Sequence, residues 1–430
     1  MRVRRFAFHL EIALLGAVVC GAGTAAGMTY KITVRAGKHD RVHTPVCVVL
    51  RESEVQANLN PVLLKEAKSV KVTAGDGTRL PAQLTGPGLL QDAPPGVVVR
   101  EVHFIVPKLA RGESLELTAV LSQEAPAAGG FRWRDQTGEF MELFYNCRPV
   151  LRYMYHAVDN SSPEARERTY KVFHHLWNPA GTRFVTKGPG GLYSHHRGLF
   201  YGFNRIQYDD VARVDTWHCG TGAYQSHEAF VSREAGPVLG RHRVRIDWHG
   251  PGDRVFATEQ REMTVYRVPG GHLVEFASRL KSTVGKMRLD GDPQHAGFQF
   301  RAAQEVAEGD QKSTYFLRPD GRGRPGETRN WNAKNPDPRT VNLPWNAMSF
   351  VIDGTRYTAV YLDTPTNPKE ARYSERTYGR FGSYFEYELD KDRELNVNYR
   401  LWLQQGEMTV EQAAALSADF VSPPEVLTRY

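Results

Sequence analysis

The stretch Ala347-Met-Ser-Phe-Val-Ile352-Asp353-Gly354-Thr-Arg-Tyr357-Thr-Ala-Val-Tyr-Leu362 decides the fold class. Two runs rich in β-branched and aromatic residues flank Asp-Gly, a dipeptide that tolerates the positive φ angles of a tight hairpin turn. Working outward, Leu143 to Tyr155, Arg241 to Trp248, Arg261 to Val268 and His272 to Leu280 carry the same strand chemistry, and Glu394 to Leu403 is expected to close the sheet. Only Thr409 to Asp419 reads as a helix here, with Thr409 as cap, Gln412 three residues on and alanines within. A βαβ rhythm and internal repeats are missing. The expected fold is therefore all-β: a large antiparallel β-sandwich over residues 131–425.

A smaller unit precedes it. All seven tryptophans lie at or after Trp133, and Tyr30 alone of nineteen tyrosines lies before it. Lys31-Ile-Thr-Val34, Val46-Cys-Val-Val-Leu50, Val97 to Val106 and Leu115 to Leu121 read as strands separated by Gly/Pro/Asp clusters, with a short helix within Asn60 to Ser69. Residues 28–122 are expected to form a small β-sandwich, and the Pro- and Gly-bearing run 123–130 a linker.

Residues 1–27 have a basic start, an apolar run from Ile12 to Gly23 and small residues around Ala25. That is the layout of a secretory signal, too short to span a membrane, so the mature protein is expected in the periplasm or outside the cell, with no membrane span. Removing the segment takes away three arginines and one glutamate and lowers the formal charge from +7 to +5. The remaining basic residues are dispersed, which argues against nucleic acid as a partner. Cys47, Cys147 and Cys219 remain, at spacings that form neither a disulfide framework nor a zinc-type CxxC; buried free thiols are the simpler reading, though one long-range bridge fits.

Chemistry concentrates elsewhere. Eleven of fifteen histidines fall between His156 and His295. Four segments stand out: Lys187-Gly-Pro-Gly-Gly-Leu-Tyr-Ser-His-His-Arg197, Asp215-Thr-Trp-His-Cys219 with His227 and Glu228, Leu289-Asp-Gly-Asp-Pro-Gln-His-Ala-Gly-Phe298, and Arg372 to Phe381 with Arg329-Asn-Trp-Asn332 beside it. Candidate catalytic residues are His195, His196, His218, His227, His295 and Glu262. In a strand His195 and His196 would face opposite ways, so one is expected in the site and the other supporting it.

Two chemistries fit. In one, a histidine and a carboxylate act as general acid and base while arginines bind negative charge. In the other, imidazoles among His195, His196, His218, His227 and His295 hold a divalent metal. Arg197, Arg376 and Arg380 are candidate anion binders. Trp217, Asp290, Asp292, Gln294, Trp331 and Asn332 complete an aromatic-plus-polar set suited to a saccharide partner. The leading expectation is an exported carbohydrate-active enzyme with histidine-centred acid–base chemistry, whether epimerase, lyase or hydrolase. The alternatives are a metal-dependent oxidoreductase on the same histidines and a non-catalytic sugar-binding or envelope protein.

Thr186 to Phe200, Asp290 to Phe300, Leu343 to Met348 and Ser374 to Phe381 together resemble a family of exported bacterial proteins labelled "methane oxygenase PmoA", or PmoA-like. The resemblance covers most of residues 130–425. A spanning helix after the signal is lacking, which argues against methane oxidation by this chain. The β-rich pattern is similar to the galactose-mutarotase-type supersandwich, which implies a histidine acid and a carboxylate base on a concave face.

Overall fold

The computed structural model describes residues 28–52, 62–126, 129–209 and 211–429. The signal-sequence reading of 1–27 therefore lies outside the described residues, as do the start of the expected helix within Asn60 to Ser69 and part of the linker. No helix among the described residues is long and apolar enough to cross a membrane.

The hairpin forms as its sequence requires. Trp345–Ile352 pairs antiparallel with Thr355–Asp363, and Asp353 (φ 46°) and Gly354 (φ 74°) both take left-handed backbone in the turn. It lies in sheet A, whose nine antiparallel strands run in the order Tyr224–Ala235, Leu239–His249, Val255–Tyr266, Gly271–Ser282, Glu394–Gln405, Thr355–Asp363, Trp345–Ile352, Tyr315–Arg318, Gly321–Arg322. Sheet B has eight strands: Arg372–Arg376, Arg380–Tyr384, Ala296–Arg301, Leu199–Phe203, Phe173–Leu176, Arg148–Met154, Phe140–Tyr145, Phe131–Gln136. A four-stranded sheet, Val211–Val214, Arg205–Tyr208, Met287–Asp290 and Tyr387–Leu389, joins the same sandwich.

Alternate residues of A and B meet in one core. Val244, Ile246, Met263, Val265, Phe276 and Tyr399 from sheet A pack with Leu199, Tyr201, Phe203, Phe298 and Phe300 from sheet B. Phe276 and Phe298 stack at 4.1 Å between centroids. Each such fully buried ring stabilises the fold by about 1.5–3 kcal/mol. The all-β sandwich expected from sequence is the observed fold.

The small N-terminal sandwich is also present. Sheet C contains Arg41–Arg51, Val99–Leu109 and Ala82–Thr85; sheet D contains Thr29–Arg35, Ser114–Ser122, Ser69–Ala74, Arg79–Leu80 and, unexpectedly, the C-terminal strand Glu425–Arg429. The outer face of sheet C is buried and polar. Gln83 Oε1 accepts from the Val238 and Leu239 amides at 3.1 and 3.0 Å, and Arg241 reaches Glu101 at 2.9 Å.

Three local readings need correction. Leu143 to Tyr155 is two strands, Phe140–Tyr145 and Arg148–Met154, because Asn146 turns the chain at φ 54°. Glu394–Gln405 does not close sheet A; it sits inside, paired with both Gly271–Ser282 and Thr355–Asp363. Cys47, Cys147 and Cys219 are all free, so there is no long-range bridge among them, and of the three only Cys219 is buried.

The C-terminal helix Val410–Val421 carries its full capping box: Thr409 accepts from the Gln412 amide, and Gln412 accepts from the Thr409 amide. Asp419 near its end accepts from Arg41 and Thr44 of sheet C, at 2.9 and 2.7 Å, and ties the two sandwiches together. Thr409→Ala is expected to cost about 1 kcal/mol, read as a lower urea midpoint with unchanged slope.

Candidate metal centre

The site is built on the outer face of sheet B. Leu199, Tyr201 and Phe203 enter the core, whereas the intervening Phe200 packs outside with Phe173 and Trp217. Three irregular segments fold over this aromatic floor: the glycine-rich loop ending at His195-His196, the turn Asp215–Cys219, and the turn Asp292–His295. His195 and His196 lie outside any strand, which is how neighbouring residues serve one region. Left-handed φ angles at Tyr193 (55°) and Cys219 (57°) mark tight backbone in the first two segments.

His195, His218 and His295 converge. Their ligating atoms all lie within 4.8 Å of one another, and each residue is part-exposed. Ring centroids stand 4.4 Å apart for His195–His218, 4.7 Å for His218–His295 and 5.4 Å for His195–His295. His218 Nδ1 lies 2.8 Å from Asp215 Oδ2, and His295 Nδ1 lies 3.0 and 3.1 Å from the Asp292 oxygens. A carboxylate on Nδ1 fixes the ring and its tautomer, leaving the Nε2 lone pair free. His195 Nε2 is buried with no hydrogen-bond partner.

Both carboxylates are themselves held. Asp215 accepts from the Trp217 and His218 amides, each at 2.8 Å; Asp292 accepts from Asn204 Nδ2 at 2.6 Å and the Gln294 amide at 2.9 Å. Burial opposes their ionisation, but the hydrogen bonds from His218 and His295, together with these amides, hold both below the usual carboxylate range. Burial, then Lys171 and the two neighbouring imidazoles, push His195 down to about 2. Burial and His195 likewise depress His196 far below its ordinary value. His195 and His196 are thus neutral bases at physiological pH. A general acid needs a proton available there; a metal ligand needs the bare lone pair.

Buried basic side chains clamp the loops. Lys171 Nζ donates to the carbonyls of His195 and Trp217, joining two of the segments. Arg197 donates to the carbonyls of Ser194, His196 and Glu167. Arg380 donates to the Pro293 carbonyl at 3.1 Å, Gln299 Oε1 at 2.9 Å and Ser374 Oγ at 2.7 Å. The expectation that Arg197 and Arg380 bind a substrate anion is corrected on this ground, since their terminal nitrogens serve the protein and both side chains are buried.

Other candidates fall elsewhere. Glu262 pairs with Arg243 at 2.8 Å and accepts from the Leu89 amide at 3.0 Å, facing sheet C rather than the histidines. His227 sits among Tyr153, Tyr155 and Phe230, with Nδ1 3.3 Å from the Tyr153 hydroxyl. Asp290 makes an ion pair with Arg205 at 3.0 Å. Trp331 packs on Tyr384 under the Arg372 guanidinium, exposed Asn332 caps the Lys334 amide, and Arg376 binds Asn330. Gln294 stays in the His295 turn, and Trp217, 1% exposed, is floor rather than substrate platform. His196 lies beside the trio with both nitrogens buried and unpartnered.

Two groups were missed. Asp215 was legible: Asp-x-x-His occurs at Asp215–His218 and again at Asp292–His295. Lys171 lies in no motif. Replacing Asp292 by asparagine should weaken metal binding by about 10–100-fold, measured by chelator competition. Unchanged affinity would mean that Asp292 does not orient a ligand.

Residues 141–418, more than half of the chain, match the family described as "Family of unknown function (DUF6807)". The chain belongs to this family. No curated protein matches it significantly. Among solved structures, this DUF6807 chain is similar to an alpha-mannosidase from Enterococcus faecalis V583, at 9% identity and a TM-score of 0.49, over 94% of this chain and 46% of that one. It is similar to a glycosyl hydrolase family 38 protein from Enterococcus faecalis at 9% identity and 0.47, over 94% and 48%. A galactose mutarotase related enzyme from Lactobacillus acidophilus gives 9% and 0.29, over 65% and 98%. The DUF6807 chain thus spans less than half the length of the two Enterococcus proteins, and no residue role is carried over from any of the three.

Proposed function

We propose that this DUF6807 protein is an exported, metal-dependent enzyme acting on a saccharide, with one divalent ion held by His195, His218 and His295. The observation that carries the reading is the convergence of three imidazoles, two of them oriented by a carboxylate on Nδ1. Three imidazoles leave a coordination position open for water or substrate, the arrangement of catalytic rather than closed structural sites. An ion there supplies Lewis acidity toward a substrate oxygen or an activated water.

The surroundings fit a sugar. Tyr193 is 47% exposed and Leu192 51%. The Tyr193 ring lies 4.5 Å from that of Tyr378 and 5.9 Å from that of His196, giving a flat apolar lip beside the centre. A cavity of about 360 Å³ opens against His195 and His218, with Arg166, Glu167 and Tyr170 in its wall. Kinship with the PmoA-like proteins is part of this reading; methane oxidation is not.

The test is turnover on a saccharide panel by protein purified without chelator. Activity should vanish on chelation, return with one divalent metal and be absent in His295→Ala. Activity indifferent to chelator and to that substitution would overturn the reading. The metal recovered assigns the reaction class: zinc points to hydrolysis or elimination, iron or copper to oxidation.

A further inference from the structure

A second chemically furnished space lies between the two sandwiches. A cavity of about 520 Å³ is enclosed by sheet C, the outer face of sheet A, the segment Gly88–Gln91 and the C-terminal segment from Asp419 to Val426. Cys47 and His103 are cross-strand partners on its sheet C wall. Val46 and Val48 point into the small core, so Cys47 faces the other way, solvent-reached although its strand is packed on both sides.

The charges of this wall answer one another. Arg241 pairs with Glu101 at 2.9 Å and Glu234 at 2.6 Å, Glu262 with Arg243 at 2.8 Å, Arg400 with Glu275 at 2.7 Å, and Asp419 with Arg41 at 2.9 Å. An incoming anion meets Glu101, Glu262 and Glu275; an incoming cation meets Arg241 and Arg400. Either would break existing pairs. Cys47, Glu101 and His103 lie within 4.8 Å of one another. Glu101 is nonetheless committed to Arg241 and to His103 Nε2, at 2.9 and 3.0 Å, which disfavours a metal between them. Enclosure between the two sandwiches, then the Glu101 charge, also raises the thiol above its ordinary range.

What remains unanswered is neutral. His103 Nδ1, on a side chain 2% exposed, and Asn398 Oδ1 are buried without hydrogen-bond partners. Beside them the Arg400 guanidinium lies over the Tyr266 and Phe420 rings at 5.9 and 4.6 Å, an aromatic wall. We propose that this cavity is a binding site for a neutral, hydroxyl-rich molecule of one to two sugar rings, anchored by His103 Nδ1 and Asn398 Oδ1. A hydroxyl both donates and accepts, so it satisfies the asparagine oxygen and either tautomer of the histidine. The volume lies within the range of about 300–1,000 Å³ of small-molecule sites. The site is independent of the histidine centre.

Cys47 is the reporter. In a Cys147→Ser background, modification by a small methanethiosulfonate reagent should slow at least tenfold in saturating concentrations of one of a panel of neutral mono- and disaccharides. Glucuronate should give no protection. Cys47→Trp, which fills the space, should abolish calorimetric binding of that sugar while metal content stays unchanged. If Cys47→Trp folds poorly, His103→Gln provides the same test. A panel in which no neutral sugar protects Cys47 or binds, or binding that survives both substitutions, overturns the proposal. Metal content measured on the same samples separates either result from failure of the histidine centre.

Discussion

Alanine at His195, His218 or His295 is expected to leave a folded protein without its metal ion. A four-ligand zinc site contributes roughly 10–16 kcal/mol of binding, so losing one ligand of comparable strength costs about 3–4 kcal/mol, or roughly 10²–10³ in affinity. Purified protein should fall from about one ion per chain to almost none. All three side chains are part-exposed, and their truncation removes little packing; the metal-free melting temperature should shift by no more than that of an ordinary surface substitution. His196→Ala is the matched control. It lies beside the trio, 5.6 Å from the His295 ring, but outside the converging set, so the ion should remain. Equal metal loss in His196→Ala would mean that the ligand set is misassigned.

The second large effect is acid lability, and it comes from other histidines. His174 Nε2 and His242 Nε2 lie 3.0 Å apart between sheets A and B, so one donates and the other, which must be neutral, accepts. Burial, then the His242 charge, pushes His174 well below its ordinary value; burial takes His242 down to about 3. His175, stacked on Phe184 at 4.2 Å, is also lowered to about 3, chiefly by burial. All three side chains are at least nine-tenths buried. Folded-state values below the unfolded value of about 6.5 mean that, as pH falls, the unfolded chain takes up protons the native state refuses. The neutral forms cost nothing above pH ~6.5, and stability is lost below it at up to about 1.4 kcal/mol per pH unit for each group. Together the three account for about 4 kcal/mol by pH 5.5, a large share of the roughly 5–15 kcal/mol typical of a domain. Urea midpoints at pH 7.5, 6.5 and 5.5 should drop steeply over the last interval. A flat profile would show that these imidazoles protonate in place.

The features legible in the sequence were those whose physics is local. Asp353-Gly354 dictates its turn, and Thr409 with Gln412 dictates its cap, because both act within four residues. The large and small sandwiches followed from strand chemistry and the aromatic boundary. Partner choice was not local. Nothing within Glu394–Gln405 says that it pairs on both sides, and nothing within Glu425–Arg429 says that it returns to Thr29–Arg35. The site divides the same way. The clustering of His195, His218 and His295 in unusual loops was visible, and the Asp-x-x-His spacing of the last two was there to be read. Glu262 and His227 looked equivalent to them in sequence but belong to other faces, which only the three-dimensional pairing of sheets A, B and C reveals. Arg197 and Arg380 misled because an arginine near a site suggests an anion, whereas here their terminal nitrogens are taken by loop carbonyls and neighbouring side chains.

The most direct test is an anomalous diffraction map from crystals of the protein grown without chelator, collected above and below the absorption edges of zinc, iron and copper. The account predicts one peak, bound at about 2.0–2.1 Å by a nitrogen from each of His195, His218 and His295, with its remaining position facing the Tyr193 lip. A map without a peak there after soaking in each metal, or a peak held by other residues, would contradict it.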